Sequence, residues 1–391
     1  MTGFASALST RSHGDEALRE VCDAALAQLG GSPDLAILFF SHHFAPLADS
    51  LAAEACKALS TERLLGCSGE SIVGVGREVE GRPAMSLWLA RLPGASLWPM
   101  HLSFERSAEG GAIVGWPDDL PLTWPSGAAL IALGDPFTFP AELLLDLVNE
   151  DQPGTVVVGG MASGAQSPGQ TRLLLGPESH DEGAVAVLLA GAVKVRTVVS
   201  QGCRPIGRHF VVTRAERNVI HELGGRPALD QLKEIHAELP TSEQAMMQHG
   251  LHLGRVVSEY QDRFEQGDFL VRNVIGIDND SGAIAVADIF RAGQTVQFHI
   301  RDHHSADQEL HTLLERAGRQ SAAPPAAALL FTCNGRGTRL FPQPHHDAQA
   351  VQNTLGDIPL AGFFAQGEMG PVGNRNFLHG FTASLALFES P

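Results

Sequence analysis

The sequence predicts a mixed α+β fold, with largely antiparallel sheets covered on their outer faces by helices in αββα-like layers. Three observations carry this prediction. One order of elements occurs three times, at 35–90, 128–190 and 326–388: apolar strand, loop, helix, apolar strand, Gly-rich loop, closing strand. A glycine is shared after the second strand of each repeat, at Gly66, Gly159 and Gly362. The closing strand follows the Gly loop each time in the manner of a hairpin, so the pattern is not a pure parallel βαβ series.

Residues 14–29 space their apolar side chains at helical intervals and place Asp15 and Glu16 in the first turn, and Gly30-Gly31-Ser32-Pro33 stops the helix. Residues 1–34 are therefore read as an N-terminal helical segment. Repeat one then runs strand 35–40, helix 46–59, strand 63–67 into GCSGE, and closing strand AMSLWLA. An amphipathic strand is expected at 98–104, and 105–127, rich in Gly, Pro and Ser, reads as a loop. Repeat two is ALIALGDPFTFP, helix AELLLDLVNE, TVVVGGMASGAQ and AVAVLLA.

Residues 193–213 read as two strands around a tight turn, and the following stretch starts as a strand and ends as a helix. A domain boundary is placed near residue 215, giving domains at 35–215 and 216–391. Residues 240–265 are helical or irregular. Residues 269–300 form a meander of alternating strands broken at Asn279-Asp280-Ser281-Gly282 and Ala292-Gly293. Helix 305–319 and the Pro324-Pro325 break introduce repeat three.

Composition narrows the function classes. The 391 residues exceed the size at which one core normally divides. A balance of 27 basic against 44 acidic residues gives a net charge of −17 and argues against nucleic acid and anionic membrane surfaces as partners. No apolar run reaches the length of about 20 residues that spans a bilayer. The start of the chain is too polar for a secretory signal. The five cysteines are scattered, with no CxxC or CxxCH, which leaves a structural zinc site or a covalently attached c-type haem unsupported and fits a reducing cytoplasm.

The segments able to carry chemistry are few. Cys333, Asn334, Gly335 and Arg336 follow an apolar strand. Glycine there lets backbone approach a ligand, and an arginine fork suits a carboxylate. No P-loop ending is present. Gln366 and Glu368 sit among glycines, where Glu368 could accept from an ammonium; Asn376 and His379 follow on the next strand. Gln201, Cys203 and Arg204 project from a compact turn that serves as a pocket wall or as a linker. Arg272 lies among apolar neighbours on a strand and requires a partner, either a ligand carboxylate or an internal acid such as Asp288. The histidine pairs 42–43, 303–304 and 345–346 are expected to point apart if they lie on strands, which disfavours a shared metal. Cys67 and Cys333 follow strands and precede turns, a placement that can expose a nucleophile, yet no GxSxG, SxxK or HExxH motif accompanies them.

The segments LLGCSGE, DPFTFP, VVGGMASG, SQGCRPIG, FLVRNVIGID, FTCNGRG and PLAGFFAQGEMGP followed by NFLHGFT, in that order, resemble the FIST family of F-box and intracellular signal-transduction proteins. The resemblance covers about residues 35–388. It implies N- and C-terminal FIST domains and a cytoplasmic sensory module for a small ligand, with amino acids as the ligand class. No output domain is recognisable, so signalling would act in trans on a separate partner protein. The expected ligand set is Arg336 for a carboxylate, Glu368 for an ammonium, and Gln366, Asn376 and the backbone of Asn334 and Gly335 for orientation. No catalytic residue, metal or cofactor is expected. The alternatives are a haem-binding nitric-oxide sensor, a protein-docking scaffold without a small ligand, and a cysteine-dependent enzyme. Oligomeric state is left open.

Overall fold

A computed structural model describes residues 2–107, 110–260, 264, 267–320 and 324–389. The fold is mixed α+β with mostly antiparallel sheets, as the repeats predict. The chain forms two compact units that are not consecutive in sequence: Met1–Val199 with His311–Pro391, and Ser200–Leu310. Seven helices occur among the described residues: α1 (Gly14–Leu29), α2 (Ala48–Leu59), α3 (Ala141–Asp151), α4 (Ala228–Glu238), α5 (Thr241–Gly250), α6 (His303–Arg319) and α7 (His346–Leu355).

The first unit contains all three repeats, and each builds the same three-stranded centre. In repeat one, Leu35–Ser41 pairs parallel with Leu64–Gly69 and antiparallel with Met85–Arg91. In repeat two, Ala129–Gly134 pairs parallel with Val156–Met161 and antiparallel with Ala184–Gly191. In repeat three, Ala327–Cys333 pairs parallel with Leu360–Ala365 and antiparallel with Ala383–Glu389.

The shared glycine has one physical cause in all three. Gly66, Gly159 and Gly362 stand opposite Leu38, Ala132 and Leu330 in their ladders. A Cβ on these glycines would lie 2.2, 1.9 and 1.8 Å from the respective carbonyl oxygens. No side chain fits there.

The hairpins after each second strand are exchanged in a cycle. That of repeat one (Ile72–Gly74 and Arg77–Val79) extends the sheet of repeat three, pairing with Leu360–Ala365. That of repeat two (Leu173–Leu175 and Glu178–His180) extends the sheet of repeat one. That of repeat three (Glu368–Val372 and Arg375–His379) extends the sheet of repeat two. Each exposed second-strand edge is thereby covered by another repeat.

The central strands are buried on both faces, so alternation must be read within apolar runs. Leu35, Ile37 and Phe39 enter a core shared by all three sheets, with Ile131, Leu133, Leu329 and Phe331. The intervening Ala36, Leu38 and Phe40 pack instead against residues of α1 and α2, such as Val21 and Leu51. Leu130 and Ala132 meet Leu144 and Val148 of α3 in the same way. Three phenylalanines join the sheets inside, with Phe39 stacked on Phe363 at 5.3 Å and Phe331 edge-on to both.

Helix α1 covers the predicted residues and stops at Gly30, in the left-handed region at φ 68°. The expected helical segment 1–34 is corrected at its start: Gly3–Ser9 is a strand, antiparallel to Met85–Arg91. Its alternating GFASALS puts Ala5 and Ala7 against α1 and Phe4 and Leu8 toward the shared core. A strand Gly110–Val114 also lies within the stretch read as a loop, paired with the end of Ala95–Ser107.

The second unit is an antiparallel barrel. Cys203–Glu216, Thr295–Arg301, Leu251–Val256, Phe269–Asp278, Ala283–Val286 and Val219–Leu223 follow one another, and the last pairs back to the first. Phe298, Ile300, Val286 and Val212 fill its core, with Leu232 and Ile235 of α4.

Candidate ligand site at the strand ends of the first unit

The Gly-rich loops after the second strands of the three repeats are bound to one another. Ser163 is the knot: its Oγ donates to the Phe364 carbonyl and accepts the Glu70 N–H at 2.8 Å, and its N–H donates to Ser68 O at 3.2 Å. Phe364 N–H reaches Ser71 O at 2.9 Å, and Gln366 N–H reaches Met161 O at 2.9 Å. Asn334 N–H adds the first-strand loop of repeat three through Ala365 O at 3.0 Å. Backbone groups from all three repeats thus converge in one place.

The rim of this convergence is polar and of both charges. Arg339 forms an ion pair with Glu70, and its other terminal nitrogen donates to Asn334 O at 2.8 Å. The pair is open to solvent, with side chains 58% and 31% exposed. Its hydrogen bond to Glu70 raises the Arg339 pKa further. Thr338 donates from N–H and Oγ1 to Glu80, the latter at 2.7 Å. Asn334 Oδ1 is buried without a hydrogen-bond partner among the described residues, and Gln366 is exposed.

The residues expected to bind ligand are placed as follows. Arg336 is fully buried, and its fork closes on Asp347, Nε to Oδ2 and Nη2 to Oδ1, both at 2.7 Å. Its guanidinium also sits 5.1 Å from the Phe341 ring centre. Glu368 is fully buried and accepts the Thr382 N–H at 3.0 Å. Asn376 is a staple: it accepts from Val157 N–H at 2.8 Å and donates to Thr155 O and to Asn149 Oδ1. His379 Nε2 bonds Gly370 O at 2.9 Å. Cys333 Sγ accepts the Gly335 N–H at 3.4 Å, and a Cβ on Gly335 would strike Phe381 at 2.8 Å.

The other three lie in the barrel unit. Gln201 bridges Phe269 O and Val271 N–H at 2.7 and 2.9 Å. Arg204 pairs with Glu243 and Asp302. Arg272 meets Asp288 at 3.4 Å, the internal acid anticipated for it. Loop 334–339, Gly335 and Gln366 therefore stand at the converged loops, while Arg336, Glu368 and Asn376 point their polar groups into protein partners.

Sequence reasoning missed Asp347, Ser163, Arg339 and Glu78. Asp347 is the centre of a buried polar network, accepting also from Thr332 Oγ1 at 2.6 Å and from His346 Nδ1 at 2.9 Å. Burial alone would raise its pKa, but the Arg336 charge and these bonds hold the carboxyl well below the usual range. Glu78, beside it, accepts the Ala348 N–H at 2.9 Å. Burial, then the Asp347 charge, push its carboxyl up to about 8.

The raised Glu78 pKa makes folding stability depend on pH. The Glu78 contribution is fully present below its unfolded value of 4.5 and is lost as pH rises to about 8, because the unfolded chain releases the proton first. Between roughly pH 5 and pH 7 this one group should cost about 2–3 kcal/mol. Glu78→Gln keeps the acceptor for Ala348 and should flatten the fall. Urea melts at the two pH values check it; an unchanged slope in the variant would refute the assignment.

The histidine pairs do not behave as strand neighbours. His42 and His43 open a 3-10 helix, His42–Leu47, and their rings stack at 4.2 Å. His303 and His304 open α6 with rings 4.0 Å apart. On a helix adjacent side chains diverge by about 100° rather than 180°. His345 and His346 take separate partners, Glu78 N–H and Asp347. Among the described residues no group of three His, Cys, Asp or Glu is placed to hold a metal ion. Cys67 is fully buried in the shared core, and burial pushes its thiol well up. No described helix is long and apolar enough to cross a membrane.

The fold is a threefold repeat of β-α-β-β units with an inserted barrel, and its loops converge at one end of the strands. The chain belongs to the FIST family, matching the FIST N domain over residues 34–226 and the FIST C domain over residues 228–371. FIST domains are associated with sensor roles in signal transduction. The chain is 45% identical over 359 residues to the uncharacterized protein Rv0628c of Mycobacterium tuberculosis H37Rv, covering 92% of each chain. It is 43% identical over 359 residues to the uncharacterized protein Mb0898c of Mycobacterium bovis, covering 92% of this chain and 91% of that one. The join between the two family matches falls inside the barrel unit, so the third repeat belongs by sequence to FIST C and by packing to the unit that holds the other two.

Proposed function

We propose that the protein is a non-catalytic sensor that binds a free amino acid at the converged loops and signals in trans through a separate output protein. The observation that carries this reading is the Arg339–Glu70 pair, held between loops of two repeats and open to solvent. An exposed ion pair contributes only about 0–1 kcal/mol, so a zwitterion can part it at small cost. Its carboxylate would take Arg339, and its ammonium would take Glu70 and the unpartnered Asn334 Oδ1. Gln366 and the Gly335 backbone complete the surround. Arg336 serves the loop from behind, through Asp347, rather than the ligand.

Calorimetry of the purified protein against the common amino acids tests the proposal. For the amino acid that binds, Arg339→Ala should weaken the affinity by about 1.5–3 kcal/mol, while the ligand-free protein melts within about 0.5 kcal/mol of wild type. Unchanged affinity in Arg339→Ala would remove the site. No binding by any amino acid would remove the ligand class.

A further inference from the structure

We infer a second, independent binding site in the first unit, for a hydrophobic ammonium ion. A cavity of about 540 Å³ lies between α3 and the segment that follows Gly110–Val114. Its volume falls within the usual range for small-ligand pockets, about 300–1,000 Å³. Ile113, Trp116, Leu120, Trp124, Leu143 and Leu147 supply the apolar wall. Leu143 and Leu147 stand one turn apart on α3 and remain partly exposed, while Leu144, Leu145 and Val148 enter the core. Leu143 and Leu147 thus pack against the core at one side and line the cavity at the other.

The walls are fixed in place. Trp116 Nε1 donates to Ile113 O at 3.0 Å, which uses its polar edge and leaves its faces for contact. Gln152, at the end of α3, accepts the Trp124 N–H and donates to Leu122 O, both at 2.8 Å. The two indole rings lie 6.2 Å apart at 52°.

Charge selects the ligand. Asp118 and Asp151 are the charged residues of the lining. Residues 107–171 contain eight Asp or Glu and no Lys, Arg or His. An anion would meet no cationic side chain in the lining, although Arg106 lies across the ladder from the lining residue Gly111, whereas a cation gains the lining carboxylates and the indole faces. The occupant is thus an amine whose aromatic or alkyl body fills the cavity and whose ammonium sits at the acidic mouth.

The test uses 4-phenylbutylamine and 4-phenylbutyrate, which share a skeleton and differ in charge. The full-length protein should bind the amine with a change in tryptophan fluorescence, and at least tenfold more tightly than the carboxylate. The Asp118→Asn/Asp151→Asn double variant, changed only at exposed positions, should lose most of that preference at low salt without a shift in melting temperature. Leu147→Trp, which fills the cavity, should abolish binding, and Arg339→Ala should leave it unchanged. Equal affinity for both probes, no binding of the amine, or binding that survives Leu147→Trp would each overturn the site. Loss of binding in Arg339→Ala would instead place the amine at the converged loops and equally overturn it.

Discussion

Asp347→Ala should cost about 3–5 kcal/mol of folding stability, the loss typical of breaking a buried ion pair from one side. The Arg336 guanidinium is completely buried, and its bidentate partner is the Asp347 carboxylate. Removing that carboxylate deprives the buried guanidinium beside Phe341 of its bidentate acceptor and strips Thr332 of its 2.6 Å acceptor. Replacing both members, as Arg336→Met/Asp347→Leu, should recover much of the loss, because the desolvation cost disappears with the charges. Chemical denaturation of the two variants measures this directly. A single variant that melts like wild type would show that the pair contributes little. The double variant also separates two roles for Arg336. If it folds and still binds an amino acid, Arg336 is not the ligand's carboxylate partner and the ligand lies against Arg339.

The contrast between Arg336 and Arg339 shows where sequence reasoning stops. Both follow the same strand, three residues apart, and both are arginines beside glycine or its neighbour. Nothing local tells which one turns inward. The decision is made by Asp347, in the first turn of α7, and by the loop that lays Phe341 beneath the guanidinium. The Asn376–Asn149 bond joins residues 227 apart in the chain, and the Ser163–Phe364 bond joins residues 201 apart. Such partners cannot be read from spacing. Arg272 and Asp288 were legible because a meander brings neighbouring strands together, which confines an internal partner to a short list. The repeats were legible for the same reason: strand, helix and strand are each written locally. The exchange of hairpins was not, since covering a sheet edge is a property of three repeats at once.

Gly362→Ala should be at least as damaging as the loss of Asp347, above about 4 kcal/mol, which marks it as an exceptional single substitution. The added Cβ would lie 1.8 Å from Leu330 O and 2.7 Å from its carbonyl carbon. Those atoms belong to a strand buried on both faces, so the ladder cannot open without disturbing the shared core behind Phe331 and Phe363. Gly66→Ala and Gly159→Ala meet the equivalent carbonyls at 2.2 and 1.9 Å and should be severe as well. Gly380→Ala is the control: nothing lies within 4 Å of its would-be Cβ, and a change within about 0.5 kcal/mol is expected. Melting of the four variants decides whether the shared glycine reflects one steric demand made three times. A tolerant Gly362→Ala beside an intolerant Gly66→Ala would mean that the repeats share an order of elements and not a common contact. Equal intolerance would tie the repeat to its cause, since every first strand then presses a carbonyl against the second at a point where only glycine fits.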